Sequence, residues 1–510
     1  MENKSLITNV CSDEVIFNEN AEQPIDIEFT LPDYLPDINR ILKCKAVSRI
    51  SSKGLNGSSI SVDGCVTVTI IYSDSENCLY SYEYQYPFNK KFDMTDNVEG
   101  ATVCCKTRCE YINCRAVTGR KIDIHGAAGI YLKVKTKNNC EILTDYDDEN
   151  IELNRCSIPA TSPMGYSEKY VILEDEIELG NGQPSIKSLL RYDLNASISE
   201  CKIVKEKCVI KGNAVLNALY CTCDNVLQIF RHSIPFSQLI EIEGINENCE
   251  CDSKVEVAYL ELKPKVSSNG DSKSLLLTAK LLLKVEAYCN NDIEVITDAF
   301  SRKYYTDINK KNITLNKLYK SINETFNCKK NIELTDNISN VADMWCDIQN
   351  CTQRIEDQNL FVSGVVCIGI IAYNEENTPS YYEKNIDFEY KYTFTDYIND
   401  KFFCDLQLEI LSSNYTLIGN GSIEIRIELS VNAAIYIKKD ISLICKLDVD
   451  TNKQIEPKNN GSLVIYYASK GESVWEIARH YSASIKEIKQ LNNLNDDYIQ
   501  NKKMLLVPVI

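Results

Sequence analysis

The sequence predicts a mainly β protein: three β-rich repeat domains, each a sandwich or an open barrel, followed by a small βααβ domain. Three observations carry this. Glycine-led apolar segments recur through the first 450 or so residues at spacings of 148 and 152. Those segments alternate apolar and polar residues, the period of a strand with one buried face. The final stretch instead carries two helix-start signals between two short apolar runs.

The repeat shows in three places. Ser61–Tyr72, Val209–Tyr220 and Phe361–Tyr373 each contain a glycine (Gly64, Gly212, Gly364) followed by apolar residues at +2, +4 and +6. These glycines are expected to start equivalent strands. Twenty-eight residues upstream of the first two lie Pro36 and Pro184, each opening a Pro-x-Ile stretch that predicts a short helix or turn. The third copy is weaker there, with Asp336, Ile338 and Val341. Downstream, Ile122–Val134, Leu275–Val285 and Ile425–Ile437 align at spacings of 151 and 152. In the last of these every odd position from Ile423 to Ile437 is apolar. Half-wet strands of this kind are usually antiparallel. The reading divides the chain into repeats at 1–150, 151–304 and 305–455 and a terminal domain at 463–510. Linkers are expected near Asp145–Glu176 and Ser301–Asn327, the second read as helical. The three repeats are expected to pack separately.

In the terminal domain, Ser473 with Glu476 and Ser484 with Glu487 form two capping boxes. The first helix turns Trp475, Ile477, Ala478 and Tyr481 inward, and the second presents Ile485, Ile488 and Leu491 as one stripe. Leu463–Ala468 and Met504–Pro508 read as the flanking strands.

Composition narrows the function. A chain of 510 residues is too long for one core. Its net charge is −18, from 73 acidic and 55 basic residues, while the terminal domain is nearly neutral. An acidic body argues against nucleic acid, whose phosphates need clustered Lys and Arg. No secretory leader is read at the N-terminus, and the apolar run Val365–Tyr373 is too short to span a bilayer. The 23 cysteines are therefore expected to be mostly free thiols packed as small hydrophobes.

Chemistry is sparse. His125 is placed on the polar face of a strand, His232 in a loop and His480 on the first terminal helix, none with a second histidine at metal-ligand spacing. Cys221, Cys223, Cys249 and Cys251 are the best metal candidates, as two Cys-x-Cys strands, but read as core thiols. Cys104, Cys105, Cys109 and Cys114 form a second cluster with the same reading. No catalytic residue, metal or cofactor is expected.

The terminal segment resembles the LysM domain through Gly471, Glu472, Ser473, Val474, Trp475, Ile477, Ala478, Tyr481, Leu491, Asn492 and Leu505–Pro508. Asn501-Lys502-Lys503 replaces the family's usual Gly-Gln-Lys turn. The β repeats are similar to SPOCS domains, and the combination resembles coat morphogenetic proteins of the SipL type from endospore-forming bacteria. The resemblance implies a non-enzymatic scaffold in the mother-cell cytoplasm, at the forespore surface and in the spore coat. Its LysM domain would bind the SpoIVA-type coat ATPase, and its β repeats other coat proteins or a second copy. The alternative is a glycan-binding LysM protein of the spore or cell wall. By position, the ligand groove involves two loops: Gly471, Glu472, Ser473, Val474 and Trp475, and then Leu491, Asn492, Asn493, Leu494, Asn495, Asp496 and Tyr498. Leu494 or Val474 is expected at the apolar centre of that interface.

Overall fold

A computed structural model describes residues 5–95, 98, 100–180, 182–266, 272–395, 402–419, 421–455 and 462–509. Residues 1–4 and Ile510, the outer ends of the first and last domain readings, lie outside the described residues.

Each repeat has six strands. The first contains β1 (Ser5–Thr30), β2 (Arg40–Asn56), β3 (Ser59–Ser73), β4 (Leu79–Asp93), β5 (Thr102–Ala116) and β6 (Lys121–Tyr146). The second contains β7 (Ile151–Glu178), β8 (Ile186–Val204), β9 (Lys207–Thr222), β10 (Leu227–Glu241), β11 (Glu250–Val266) and β12 (Ser272–Ser301). The third contains β13 (Tyr304–Glu333), β14 (Ile338–Glu356), β15 (Asn359–Asn374), β16 (Pro379–Thr393), β17 (Phe402–Gly419) and β18 (Ser422–Gln454). The terminal unit is β19 (Leu463–Ala468), α1 (Val474–Tyr481), α2 (Ile485–Asn492) and β20 (Lys503–Pro508).

The topology is the same three times. In each repeat the second, third and fourth strands form one antiparallel sheet, and the first, last and fifth form another. The two open sheets face each other over a core of their own, built in repeat one from residues such as Ile60, Val66, Ile122 and Ile130. The strand alternation explains this: on β3 the buried positions fall at every second residue from Ile60 to Ile70.

The three glycines sit sixth in equivalent strands rather than starting them. Each lies opposite a phenylalanine of the next strand: Gly64 opposite Phe88, Gly212 opposite Phe236 and Gly364 opposite Phe388. A Cβ at these glycines would stand 2.2, 2.3 and 2.6 Å from the ring. The neighbouring strand bulges at the same level, between Ile50/Ser52, Ile198/Glu200 and Ile348/Asn350. The glycine thus admits both a ring and a bulged backbone. The Pro-x-Ile stretches are irregular segments leading into β2 and β8, not helices. Fully buried Tyr72 and Tyr220 donate to the carbonyls of Pro36 and Pro184 at 3.2 and 3.4 Å. In the third copy Ala372 and Asp336 occupy the equivalent places, so the hydroxyl and its proline partner are lost together.

Both expected linkers are strands. β7 covers most of Asp145–Glu176, and β13 covers nearly all of Ser301–Asn327, including the segment read as helical. These strands are long because the first and last strands of each repeat run past its core. Beyond the core they meet their counterparts: Val10, Ile142, Ile158, Val295, Ile313 and Leu443, two from each repeat, bury one another. A second shared cluster joins Ile71, Leu219 and Ile371, equivalent positions at spacings of 148 and 152, around Trp345. Each repeat keeps its own two sheets and core, and through these shared clusters the three also meet in a quasi-threefold arrangement. Buried Arg191 of repeat two reinforces it, donating to Asp343 of repeat three at 2.8 Å and lying over Trp345.

Where β1, β6 and β12 meet, burial first and then the Glu286 charge push the Asp13 carboxyl up to about 6, against the opposing pull of Lys135. A carboxyl held above its ordinary value of about 4 costs stability when it ionises. That cost is present above about pH 6 and disappears as pH falls below about 4. Asp13→Asn should therefore be more stable than the native chain at pH 7.5, by about 1–2 kcal/mol, and equal to it near pH 4. Urea midpoints of both proteins across that range check it. A difference that stays constant with pH would sink it.

Candidate functional site

The LysM-like unit is built from its caps. Ser473 precedes α1 and its hydroxyl accepts from the Trp475 amide; Ser484 does the same for α2 from Glu487. Helix α1 ends on Ser482 and α2 on Asn493, both in the left-handed region. Ile477, Ala478, Ile488, Leu505 and Val507 form the core between the helices and the two-stranded sheet.

The two expected loops are brought together. The amide of Val474 donates to Asp497 O, that of Ile499 to Glu472 O, and that of Gly471 to Ile499 O, at 2.8–2.9 Å. Gly471 takes φ +89°, a left-handed value that glycine adopts without strain. The Glu472 carboxylate accepts from the Tyr466 hydroxyl and the Ser469 amide, pinning the first loop.

The twelve loop residues separate into three groups. Val474, 1% exposed, and Asn492 are buried. Asn492 links α2 to β20 through hydrogen bonds to Ile488 O, Leu506 O and the Leu506 amide. Glu472, Ser473, Trp475 and Leu494 are half-buried, and Trp475 and Leu494 pack against the core. Gly471, Leu491, Asn493, Asn495, Asp496 and Tyr498 are exposed. Val474 thus cannot be the apolar centre of an interface.

Trp475 faces the protein's own body. Its ring meets Phe300 edge-on at 5.1 Å, and its indole N–H donates to Asp298 Oδ2 at 3.0 Å. Arg479 donates to the same oxygen at 2.5 Å, and Lys310 reaches the other at 3.2 Å. Glu152 stands beside Ser484 and Ile485 at the start of α2. Phe300 joins the LysM core. The module is therefore docked on β7 and β12 of repeat two, an arrangement that no local sequence signal announces.

A second surface went unread in the sequence. The register pairs Leu463 with Pro508, Ile465 with Leu506 and Tyr467 with Met504, so these six share one face of the sheet. The face turned inward holds Ala468, Leu505 and Val507. The outward face is also apolar: Tyr467 is 71% and Ile465 57% exposed. The signal was present in Leu463–Ala468, which is apolar at both parities where a half-buried strand should alternate.

The metal candidates do not come together. Cys221 lies in the shared cluster around Trp345, Cys223 is exposed, and Cys249 forms a disulfide with Cys289. The other 21 cysteines are free thiols. Cys105 is in the core of repeat one, and Cys114 and Cys44 pack against it. His232 lies on strand β10 and stacks on Phe230, rather than in a loop. Exposed His125 bridges Asp26 and Asp123, and hydrogen bonding to Asp26 and then Asp123 raises its pKa. His480 lies on α1 against Tyr481. A cleft of about 750 Å³ on repeat three is lined by Lys329, Lys330, Asp387 and Glu389 with no histidine. Among the described residues no helix is long and apolar enough to cross a membrane.

Comparison with known families agrees with this geometry. The model of the SipL, SPOCS domain matches residues 37–117 and 185–265. The model of the LysM domain matches residues 466–508. The third repeat lies outside the matched residues, although its topology is the same. No curated protein and no solved structure matches the chain. Neither domain type has a known catalytic role, and the SipL name places these domains in the context of the spore coat. The chain thus joins SPOCS domains of the SipL type to a C-terminal LysM domain.

Proposed function

We propose that the protein is a non-enzymatic scaffold of the endospore coat whose LysM domain holds a protein partner rather than a glycan. The observation that carries this is the outward face of the LysM sheet. Leu463, Ile465, Tyr467 and Met504 are each about half exposed or more, on a flat two-stranded surface beside Leu506 and Pro508. Contiguous apolar surface of this kind marks association with another apolar surface. A sugar polymer would be met by convergent hydrogen-bonding groups, and this face carries only the Tyr467 hydroxyl. The resemblance to SipL-type proteins names the partner as the SpoIVA-type coat ATPase, in the mother-cell cytoplasm at the forespore surface. The exposed loop residues Leu491, Asn493, Asn495, Asp496 and Tyr498 offer a polar flank to the same domain. The three repeats supply a rigid body that can carry other coat proteins or a second copy, tethering coat layers to that surface.

The test is retention of the purified coat ATPase by the full chain, run beside sedimentation with peptidoglycan. Ile465→Asp places a charge at the centre of the face without touching the core. It should weaken ATPase binding by on the order of 2 kcal/mol, roughly thirtyfold. Asp496→Ala should leave it nearly unchanged. Tight peptidoglycan binding that Tyr498→Ala or Asn495→Ala abolishes, with no ATPase binding, would establish the glycan reading instead.

A further inference from the structure

Three cysteines far apart in sequence converge in repeat two. Cys201 is on β8 and Cys208 on β9, the two arms of one hairpin. Cys251 is on β11, in the facing sheet. Their sulfurs lie 2.9 Å (201–251), 3.3 Å (201–208) and 3.6 Å (208–251) apart. Cys208 is fully buried, the other two are partly buried, and all three belong to the core of the repeat. Ser253 stands two residues along β11, beside Cys201.

The other repeats show what this position does. Lys53 and Gln353 are the equivalents of Cys201, at spacings of 148 and 152. Each reaches across to the facing sheet and donates to a backbone carbonyl there, Lys53 to Val103 and Gln353 to Cys404, the latter at 2.6 Å. The equivalents of Cys208 are Ile60 and Leu360, both fully buried core residues. Repeat two lacks the long polar side chain that joins its sheets, and in its place it has a third sulfur on the opposite strand.

We propose that Cys201, Cys208 and Cys251 bind a thiophilic d10 cation that staples the two sheets of repeat two. Each thiol loses its proton on binding, so one cation exchanges for three protons and three metal–sulfur bonds form. Tetrahedral thiolates around a metal at about 2.3 Å stand roughly 3.8 Å apart, so the triangle of sulfurs opens by less than about 1 Å on its shortest side. The Ser253 hydroxyl or a water completes four-coordinate zinc(II); copper(I) is satisfied by the three sulfurs alone.

The full chain, purified under reductant and dialysed against zinc, should retain one zinc by elemental analysis after desalting. Cobalt(II) in its place should give near-ultraviolet thiolate-to-metal charge-transfer bands, and zinc titration in weak buffer should release close to three protons. A chromogenic copper(I) chelator, run as a parallel competition, decides which cation is preferred. Cys201→Ser, Cys208→Ser and Cys251→Ser should each lower metal affinity at least tenfold, while exposed Cys156→Ser and Cys223→Ser should not. Trp345 fluorescence confirms that the variants stay folded. If the native chain shows no charge-transfer bands and holds no more metal than the triple variant, the proposal fails. It fails equally if alkylation mapping of metal-free protein finds Cys201 and Cys251 joined as a disulfide.

Discussion

Gly212→Val is expected to unfold repeat two. A Cβ there would stand 2.3 Å from Phe236 Cζ and 2.4 Å from the Ser197 carbonyl oxygen. The ring could turn aside, but the carbonyl belongs to the bulged β8 and is fixed by its ladder. Valine adds two methyl groups to this overlap, in a core already filled by Cys208, Ile210 and Leu216. Overpacking of this kind costs about 1–3 kcal/mol when only side chains must move, and more when backbone must follow. We expect about 4 kcal/mol, enough to melt the repeat at physiological temperature. Because Leu219 and Cys221 of the same strand feed the cluster around Trp345, the loss should appear as a red-shifted Trp345 emission. Phe236→Leu in the same chain should recover part of the stability, the part owed to the ring, and leave the part owed to the carbonyl. Full recovery would mean that the bulge is not held as described, and no loss in the single variant would remove the role given to all three glycines.

The glycine was legible as a repeat marker, but its partner was not. Period-two alternation shows which face of a strand is buried and nothing about which strand lies opposite, so the pairing of Gly212 with Phe236 needed the register. The failure at β13 has a local cause. Ile313, Leu315, Leu318, Ile322 and Phe326 mix spacings of two, three and four, which imitates a helix. A bulge between Leu318 and Lys320 shifts the parity, so that Ile313 and Leu315 face the stem shared by the repeats while Ile322 enters the core of repeat three. One extra residue in a long strand thus suffices to hide it. Pro159 and Pro163 disguised β7 in the same way; proline fits there because β7 is the edge of its sheet. In the terminal domain the caps, helices and most core residues were legible, because they are local; Leu491, read into the apolar stripe of α2, is exposed, and Val474, read as interface, is buried. The docking of Trp475 was not, since its acceptor lies 177 residues away.

Asp298→Ala should release the LysM module from the body. Asp298 is buried, and its two oxygens receive the Trp475 indole, Arg479 and Lys310. Truncation leaves the indole N–H without an acceptor and removes the charge-assisted hydrogen bond from Arg479 across the seam, worth about 1.5–3 kcal/mol, while the Lys310 bond lies within the body. Apolar packing of Phe300 in the module's core and against Trp475, and Glu152 beside the start of α2, remain. We expect the loss of about 3 kcal/mol or more of docking free energy to populate the undocked module measurably. Trp475 emission should then move to longer wavelength while Trp345, deep in the shared cluster, does not change; the two are the only tryptophans in the chain. Protease cleavage ahead of β19 should rise in parallel. Asp298→Asn, which keeps one acceptor for the indole but loses the carboxylate charge and with it both ion pairs, should fall between the native chain and the alanine variant. An unchanged Trp475 spectrum in Asp298→Ala would mean that apolar packing on Phe300 alone seats the module. The distinction bears on function, because a seated module presents Leu463, Ile465 and Tyr467 in one fixed direction from the repeats. If Asp298→Ala frees the module but leaves affinity for the coat ATPase intact, orientation contributes nothing to capture. If affinity falls with the sheet face untouched, the body of the protein is part of how the partner is held.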